Sequence, residues 1–161
     1  MTNAKFELDR IDRHLLSVLQ ENGRLPVTDL AEKVGLTASP CLRRLKILEQ
    51  AGIIRGYGAH LDQKKVGLPV SVFVSVKLEM QREAALERFE AAIRDCREVV
   101  ECYLMTGPRD YLLRVVAQDL EAYERFLKET LTRIDGVASI ESSFALTQVK
   151  YSNALPIAET A

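Results

Sequence analysis

Tryptophan is absent from the chain, histidine occurs twice and cysteine three times, and none of these scarce residues is spaced for chemistry. Cys41, Cys96 and Cys102 are odd in number and form no C-x-x-C, which argues against a disulfide framework and against a zinc knuckle; buried free thiols are the ordinary alternative. His14 and His60 lie far apart in sequence, and neither has a Ser or Cys in a nucleophile motif beside it. No H-E-x-x-H occurs, nor a phosphate-cradling GKS or GKT, and the "GYGAHL" after Arg55 lacks the third glycine of a dinucleotide fingerprint. Neither an enzyme nor a metalloprotein is expected, and no cofactor.

Long apolar runs are missing too. The best candidate, Val66 to Val76, is interrupted by Gly67, Pro69, Ser71 and Ser75, and falls short of the roughly 20 apolar residues that a membrane span requires. The opening "MTNAKFELDRIDR" mixes charges with apolar residues and has no continuous apolar core of a secretion signal. A cytoplasmic protein that does not enter a membrane is expected. Charge of one sign is scarce overall, the net being −1, but it is unevenly divided: residues 1–60 hold 9 Lys+Arg against 7 Asp+Glu, whereas 61–161 hold 13 against 16. The imbalance points the first segment toward phosphate.

What the chain does have is 47% apolar content, enough to bury a core, laid out in two periods. Ile11, Leu15, Val18 and Leu19 recur as the stripe of a helix with one buried face, and Asn22-Gly23 signals a left-handed end before Pro26. A short helix opening at Val27 or Thr28 carries Leu30, Ala31 and Val34 and closes at Gly35; after the turn "GLT" a third helix runs from near Thr37 or Ser39 to Gln50, with Gly52 beyond. At about 100° per residue, Cys41, Leu45 and Leu48 share one side of that helix, with Leu42 at the margin. Ser39, Arg43, Lys46, Ile47 and Gln50 fall on the other side, with Arg44 on a flank.

Two short helices joined by a glycine-containing turn, the second with a donor-rich outer face, make a helix-turn-helix. In that geometry Ser39, Pro40 and Arg43 approach base edges, Arg43 is able to pair with guanine, and Arg44 and Lys46 suit phosphates. Ile47 would touch a thymine methyl or pack on an N-terminal segment. Pro40 in the first turn forfeits no helical hydrogen bond. A few phosphate contacts per subunit call for at least a dimer on DNA.

Beyond "AGIIRGYGAHLDQKKVGLP" the period becomes two: Val70, Val72, Val74, Val76 and Leu78 alternate with Ser71, Phe73, Ser75 and Lys77 as a strand with unlike faces. A helix with Leu86, Phe89 and Ile93 follows, then the strand "VVECYLMT", the tight "GPRD" and the strand "YLLRVVA". A helix from an Asp119 cap toward Gly136, carrying Leu120, Tyr123, Leu127, Leu131 and Ile134, leads to a last strand, "VASIESSFALTQV". The order β-α-β-β-α-β predicts an antiparallel four-stranded sheet with both helices on one face, a ferredoxin-like sandwich. Large apolar residues on both faces of the first strand, and Tyr103 and Met105 alternating with Cys102 and Leu104 in the second, predict association through the sheets.

The motifs "LDRIDRHLLSVLQENGR", "LAEKVGLTASPCLRRLKILEQAGII", "TGPRDYLLRV" and "SSFALTQVKYSNALP" together cover nearly the whole chain, which resembles the Lrp/AsnC, or feast/famine, transcriptional regulators of the leucine-responsive type. The resemblance implies an α+β chain: a winged or plain helix-turn-helix at residues 1–55, a linking strand or hinge at 56–69, and a ferredoxin-like (RAM) effector-binding and oligomerisation domain at 70–161. It further implies binding of double-stranded DNA through Thr37, Ser39, Pro40, Arg43, Arg44, Lys46, Ile47 and Gln50. A homo-oligomer follows (dimer, then tetramer or octamer), with a small amino-acid effector between dimers at Met105, Thr106, Gly107, Pro108, Asp110 and Tyr111 and at Ser142, Ser143 and Phe144 of a neighbouring subunit. One departure is Thr37-Ala38 where the family often has Ser-Pro; Thr is still able to cap. Asp110 offers an acceptor for an ammonium, and a glycine loop offers N–H donors for a carboxylate. On its residues alone, though, "GPRD" is also ordinary turn chemistry with Pro at i+1. The "ALP" near the end is similar to a subgroup that controls amino-acid catabolism. The alternative reading is an amino-acid-sensing oligomer acting through protein partners instead of DNA.

Overall fold

In the computed structural model, which describes residues 6–157, the first apolar stripes become α1 (Arg10–Glu21), α2 (Val27–Lys33) and α3 (Ala38–Gln50). Leu15, Leu30, Ala31, Val34, Cys41 and Leu45 are buried together, with Ile11, Val18, Leu19, Leu25, Leu36 and Ile54 packed around them. Asp9 caps α1 reciprocally with Asp12: Asp12 N donates to Asp9 Oδ1 at 2.8 Å and Asp9 N to Asp12 Oδ2 at 3.2 Å, a capping box built from two aspartates. The expected left-handed end at Asn22-Gly23 is not what forms. Asn22 is extended at φ −147°, and its side chain instead accepts from Arg24 N at 3.0 Å, an Asx turn that redirects the chain locally. α2 does end on a left-handed glycine, Gly35 at φ +69°, with Gly35 N bonded to Glu32 O and Leu36 N to Ala31 O, the Schellman pattern. Thr37 is the N-cap of α3, but its hydroxyl makes no capping bond. No strand lies between α3 and Val70, so the helix-turn-helix takes its plain form among the described residues.

The described residues divide into two units, and the division does not fall where the periodicity changes. Residues from Lys150 onward group with the helices, and the second unit spans Leu61–Val149. In the first unit Gln20 reads the backbone of Leu155 from both sides: Leu155 N donates to its Oε1 at 2.6 Å, and its Nε2 donates to Leu155 O at 3.1 Å. Asn153 Nδ2 lies 3.2 Å from His60 Nδ1, and Tyr151 meets His60 edge-on.

The second unit holds β1 (Val70–Leu78), α4 (Glu83–Arg94), β2 (Val99–Leu104), β3 (Tyr111–Ala117), α5 (Leu120–Glu129) and β4 (Val137–Phe144). All pairings are antiparallel in the order β2-β3-β1-β4, the ferredoxin-like arrangement. Val72, Val74, Val76 and Leu78 of β1, with Leu113 and Val115 of β3, face Phe89 and Ile93 of α4 and Tyr123 and Phe126 of α5 in one core. α5 starts at the expected Asp119 cap, whose side chain accepts from Ala122 N at 2.7 Å. It stops at Glu129, short of Gly136, and tightens into a 3-10 turn, Leu131–Arg133, which still delivers Leu131 fully buried to the core.

The outer sheet face departs from the sequence expectation. β1 places only Phe73 there among Ser71, Ser75 and Lys77; β3 adds Leu112 and Val116 on either side of Arg114, and Glu101, Glu141 and Ser143 bring polar groups around them. This is a mixed face with exposed Phe73 and Tyr103, not a continuous apolar one. Val100 and Leu104, also exposed, lie on edge strand β2 and alternate with Tyr103, and Phe144 is exposed on β4. No helix among the described residues is long and apolar enough to cross a membrane.

Phe89 is fully buried and stacks on Tyr111 with ring centroids 4.5 Å apart. Phe89→Ala is expected to cost the second unit about 3–5 kcal/mol, read as a lower urea midpoint by circular dichroism; a loss under about 1 kcal/mol would mean that the site collapses around the gap.

Candidate nucleic-acid interface

Helix α3 presents what its periodicity requires. Cys41, Leu45 and Leu48 are buried, whereas Ser39, Arg43, Lys46 and Gln50 are exposed, Pro40 is half-buried and Ile47 keeps 41% of its surface in solvent. Arg43 and Lys46 form no ion pair among the described residues, so two cations and the neighbouring amide and hydroxyl donors stand free on one face. Such a face matches phosphates and base edges, both rich in acceptors. Packing of Ile47 on a segment before residue 6 lies outside the described residues.

Arg44 behaves differently from its neighbours. Its Nη1 donates to Asp9 Oδ2 and to Asp12 Oδ1, each at 2.7 Å. The bonds from Asp12 and Asp9 push the guanidinium further above its ordinary value. Slight burial pushes the Asp9 carboxyl up, but the Asp12 N–H bond and the Arg44 guanidinium outweigh it and hold Asp9 below its usual 3.8. The flank position of Arg44 on the wheel is therefore a turn toward α1, and its charge is neutralised inside the unit. The sequence carried the signal in Asp9 and Asp12, three residues apart at a helix start, though nothing local assigned them a partner.

The loop between β2 and β3 is closed by Met105 N donating to Asp110 O at 2.8 Å, with Gly107 at φ +112° making the turn. Met105, Thr106, Gly107 and Pro108 are exposed. Asp110 is 4% exposed and already occupied: its Oδ2 accepts from Leu78 N at 2.7 Å and its Oδ1 from Gln81 Nε2 at 2.6 Å. Both oxygens hold the end of β1 against the loop, so within one chain Asp110 is a structural clamp and not an open acceptor. Tyr111 points into the core, and its hydroxyl donates to Glu90 at 2.9 Å; burial, then Glu90, pushes the phenol far above its usual range. Ser142 bonds the Tyr123 hydroxyl and Phe144 meets the Tyr123 ring edge-on, while Ser143 faces the opposite side of the sheet beside Phe73. One chain therefore does not gather Ser142, Ser143 and Phe144 with the loop: they pair with Val74, Phe73 and Val72, whereas Asp110 docks at Val76 and Leu78. Two residues of this region escaped sequence reasoning. Arg109 pairs with Glu141 of β4, and Gln81 bridges to Asp110; both contacts depend on side chains distant in sequence. Among the described residues no group of three or more His, Cys, Asp or Glu side chains is arranged to hold a metal.

Comparison with known proteins covers both units. Residues 8–55 match the family model for winged helix-turn-helix DNA-binding, and residues 71–155 that for the Lrp/AsnC ligand binding domain. The chain is 51% identical to the Bkd operon transcriptional regulator of Pseudomonas aeruginosa across 94% of this chain and 99% of that one. It is 40% identical to the leucine-responsive regulatory protein of Salmonella typhimurium, across 94% and 92%. Among solved structures, a transcriptional regulator from Neisseria meningitidis in complex with L-Met superimposes with a TM-score of 0.87 at 43% identity, covering 93% of this chain and 97% of that one.

Arg44→Ala strands the buried Asp12 carboxylate and is expected to cost the first unit about 1–3 kcal/mol. Because Asp9 titrates below its ordinary value when folded, its contribution is present above pH 3.8 and is lost as pH falls through the lowered value. The variant should therefore show a shallower loss of stability across that acid window in pH-dependent thermal melts, and an unchanged slope would mean that Arg44 does not hold Asp9.

Proposed function

This chain belongs to the Lrp/AsnC family of transcriptional regulators, and on that premise we propose that the outer face of α3 reads a DNA major groove while the β2–β3 loop answers a small amino acid. The observation that carries the DNA reading is the unequal fate of neighbouring cations. Arg44 is consumed by Asp9 and Asp12, whereas Arg43 and Lys46, together with Ser39 and Gln50, stand outward. Arg43 has the fork geometry for guanine O6 and N7, Lys46 the point charge for phosphate, and Ile47 the apolar surface for a thymine methyl. With Thr37 as N-cap, the N–H groups of Ala38 and Ser39 point toward the backbone of the duplex, and Pro40, which has no N–H, lies against it with its ring. Arg44 then orients the helix and leaves phosphate contact to the others.

In the functional division that follows, residues 1–55 bind DNA, 56–69 link, and 70–161 sense and assemble, with the stretch from Lys150 packing back on the helices. Exposed Met105, Thr106, Gly107 and Pro108 form the part of the loop that a ligand reaches, and Asp110 and Tyr111 hold that part in place. Ser142, Ser143 and Phe144 complete the site from a neighbouring subunit. The protein acts by binding, in the cytoplasm, as a homo-oligomer of dimers. Support for association comes from Phe73 and Tyr103 exposed on the outer sheet face, and support for an amino-acid ligand from the L-Met complex of the Neisseria regulator. The ligand favours one assembly, or one spacing of the DNA-binding halves, over another, and operator affinity or DNA bending changes with it.

In gel-shift titrations with DNA from its own promoter, Arg43→Ala is expected to lose about 1–3 kcal/mol and to relax sequence preference. Lys46→Ala should weaken all sequences alike and lower the salt slope by about one. A full, salt-sensitive shift retained by both variants would remove α3 from the groove. In a thermal-shift screen of the twenty amino acids, the effector at about 100 times its Kd should stabilise the native assembly by about 2.7 kcal/mol; no shift with any of them would end the sensor reading.

A further inference from the structure

On the sheet face turned away from α4 and α5, polar side chains form a chain of bonds that reaches from the segment before β1 to edge strand β2. Gln63 lies on the segment Leu61–Pro69, through which the backbone enters this unit from the DNA-binding half. Its Nε2 donates to Leu68 O and, at 2.9 Å, to Ser71 Oγ, and so holds a turn that Val66 N to Asp62 O and Leu68 N to Gln63 O also close. Its Oε1 accepts from Ser71 Oγ at 3.2 Å and from Arg114 Nη1 of β3 at 3.4 Å. Arg114 Nε donates to Glu101 Oε1 of β2 at 2.7 Å, and the Tyr103 hydroxyl donates to Glu101 Oε2 at 3.2 Å. The Arg114 side chain is 21% exposed and that of Glu101 38%, a partly desolvated pair whose geometry is set by directed, charge-assisted bonds.

We propose that Gln63 is a positioning residue that couples the β2–β3 loop to the linking segment, through Arg114 and Glu101; the coupling rests on reading that loop as the sensor. Glu101 and Tyr103 belong to the strand that runs directly into Met105. A ligand that shifts Met105–Pro108 therefore shifts β2. The short Arg114–Glu101 bond follows, because a charge-assisted contact is the last to be surrendered, and the guanidinium swings with it. The weak member of the series is the 3.4 Å contact to Gln63, near the limit for a hydrogen bond. It tightens or breaks according to where β2 stands, and with it the amide that clips the turn to the start of β1. Energetic coupling of this kind travels through contiguous bonds that have two arrangements, and the long contact supplies the second.

Hydrogen exchange on the full chain tests the coupling without DNA or amino acid, so its failure leaves the DNA and ligand readings standing, whereas failure of the ligand reading, seen in the thermal-shift screen, removes the signal that the coupling carries and leaves the exchange result unchanged. Gln63→Ala should speed exchange of residues 62–71 and also of Glu101–Asp110, which Gln63 does not touch, by roughly three- to tenfold, the worth of one hydrogen bond. Glu101→Ala should speed exchange of residues 62–71 in return. Gln63→Glu keeps an acceptor for Arg114 and for the Ser71 hydroxyl but loses the donor to Leu68 O, so it should restore slow exchange in β2 while leaving residues 62–68 fast. Acceleration confined to each variant's own neighbours would overturn the coupling. Equal acceleration throughout α4 and α5 would overturn it as well, since that is loss of global stability.

Discussion

The bonds from Arg44 to Asp9 and Asp12 are the constraint on which the outer face of α3 depends. Three small helices bury little surface, and α3 packs mainly on α2, meeting α1 in the shared cluster of Leu15, Cys41 and Leu45. Two bonds of 2.7 Å from one guanidinium add direction. They also close the charge account of α1's first turn: Asp9 and Asp12 cap the helix N-terminus, where negative charge is favoured, and the cation from α3 compensates them where Asp12 is buried. A side chain that neutralises two carboxylates inside the unit leaves its neighbours to face outward with uncompensated charge. The basic surface is thus narrower than the sequence suggests and more strictly oriented.

Asp110 solves an analogous problem in the second unit. The end of β1 carries a backbone N–H at Leu78 that needs an acceptor, and the chain then leaves the sheet toward α4. Asp110 supplies that acceptor, takes the Gln81 amide on its other oxygen, and donates its own N–H to Val76 O. The β2–β3 loop is therefore anchored at its base by a buried carboxylate and by Tyr111, and free at its tip. Arg109, paired with Glu141, ties the same loop to β4.

Much of this was legible from local pattern. The stripes of α1, α2 and α3, the alternation in β1, the Asp119 cap and the β-α-β-β-α-β order all follow from apolar spacing and turn residues, but α5 stops at Glu129 and the last strand, expected to run to Val149, ends at Phe144. Where expectation and structure part, a local signal met a competing one. Asn22 spent its side chain on an Asx turn and did not need a left-handed backbone. α5 gave way to a 3-10 turn because Leu131 reaches the core that way. The outer sheet face looked apolar in sequence because the register that sets Arg114 between Phe73 and Glu101 cannot be read from any one strand.

By itself the sequence determined the elements and which side of each is buried, since helix and strand periods are properties of neighbouring residues. It also determined the family, since its motifs extend over both units. Only the tertiary structure decided which charged groups are available. Arg44 and Asp12 are 32 residues apart, as are Asp110 and Leu78, and pairing at such separation depends on how the elements pack. A cation or carboxylate on a wheel or in a loop is a candidate for recognition until the fold brings it a partner; for Arg44 and Asp110 the fold did so, and for Arg43 and Lys46, among the described residues, it did not.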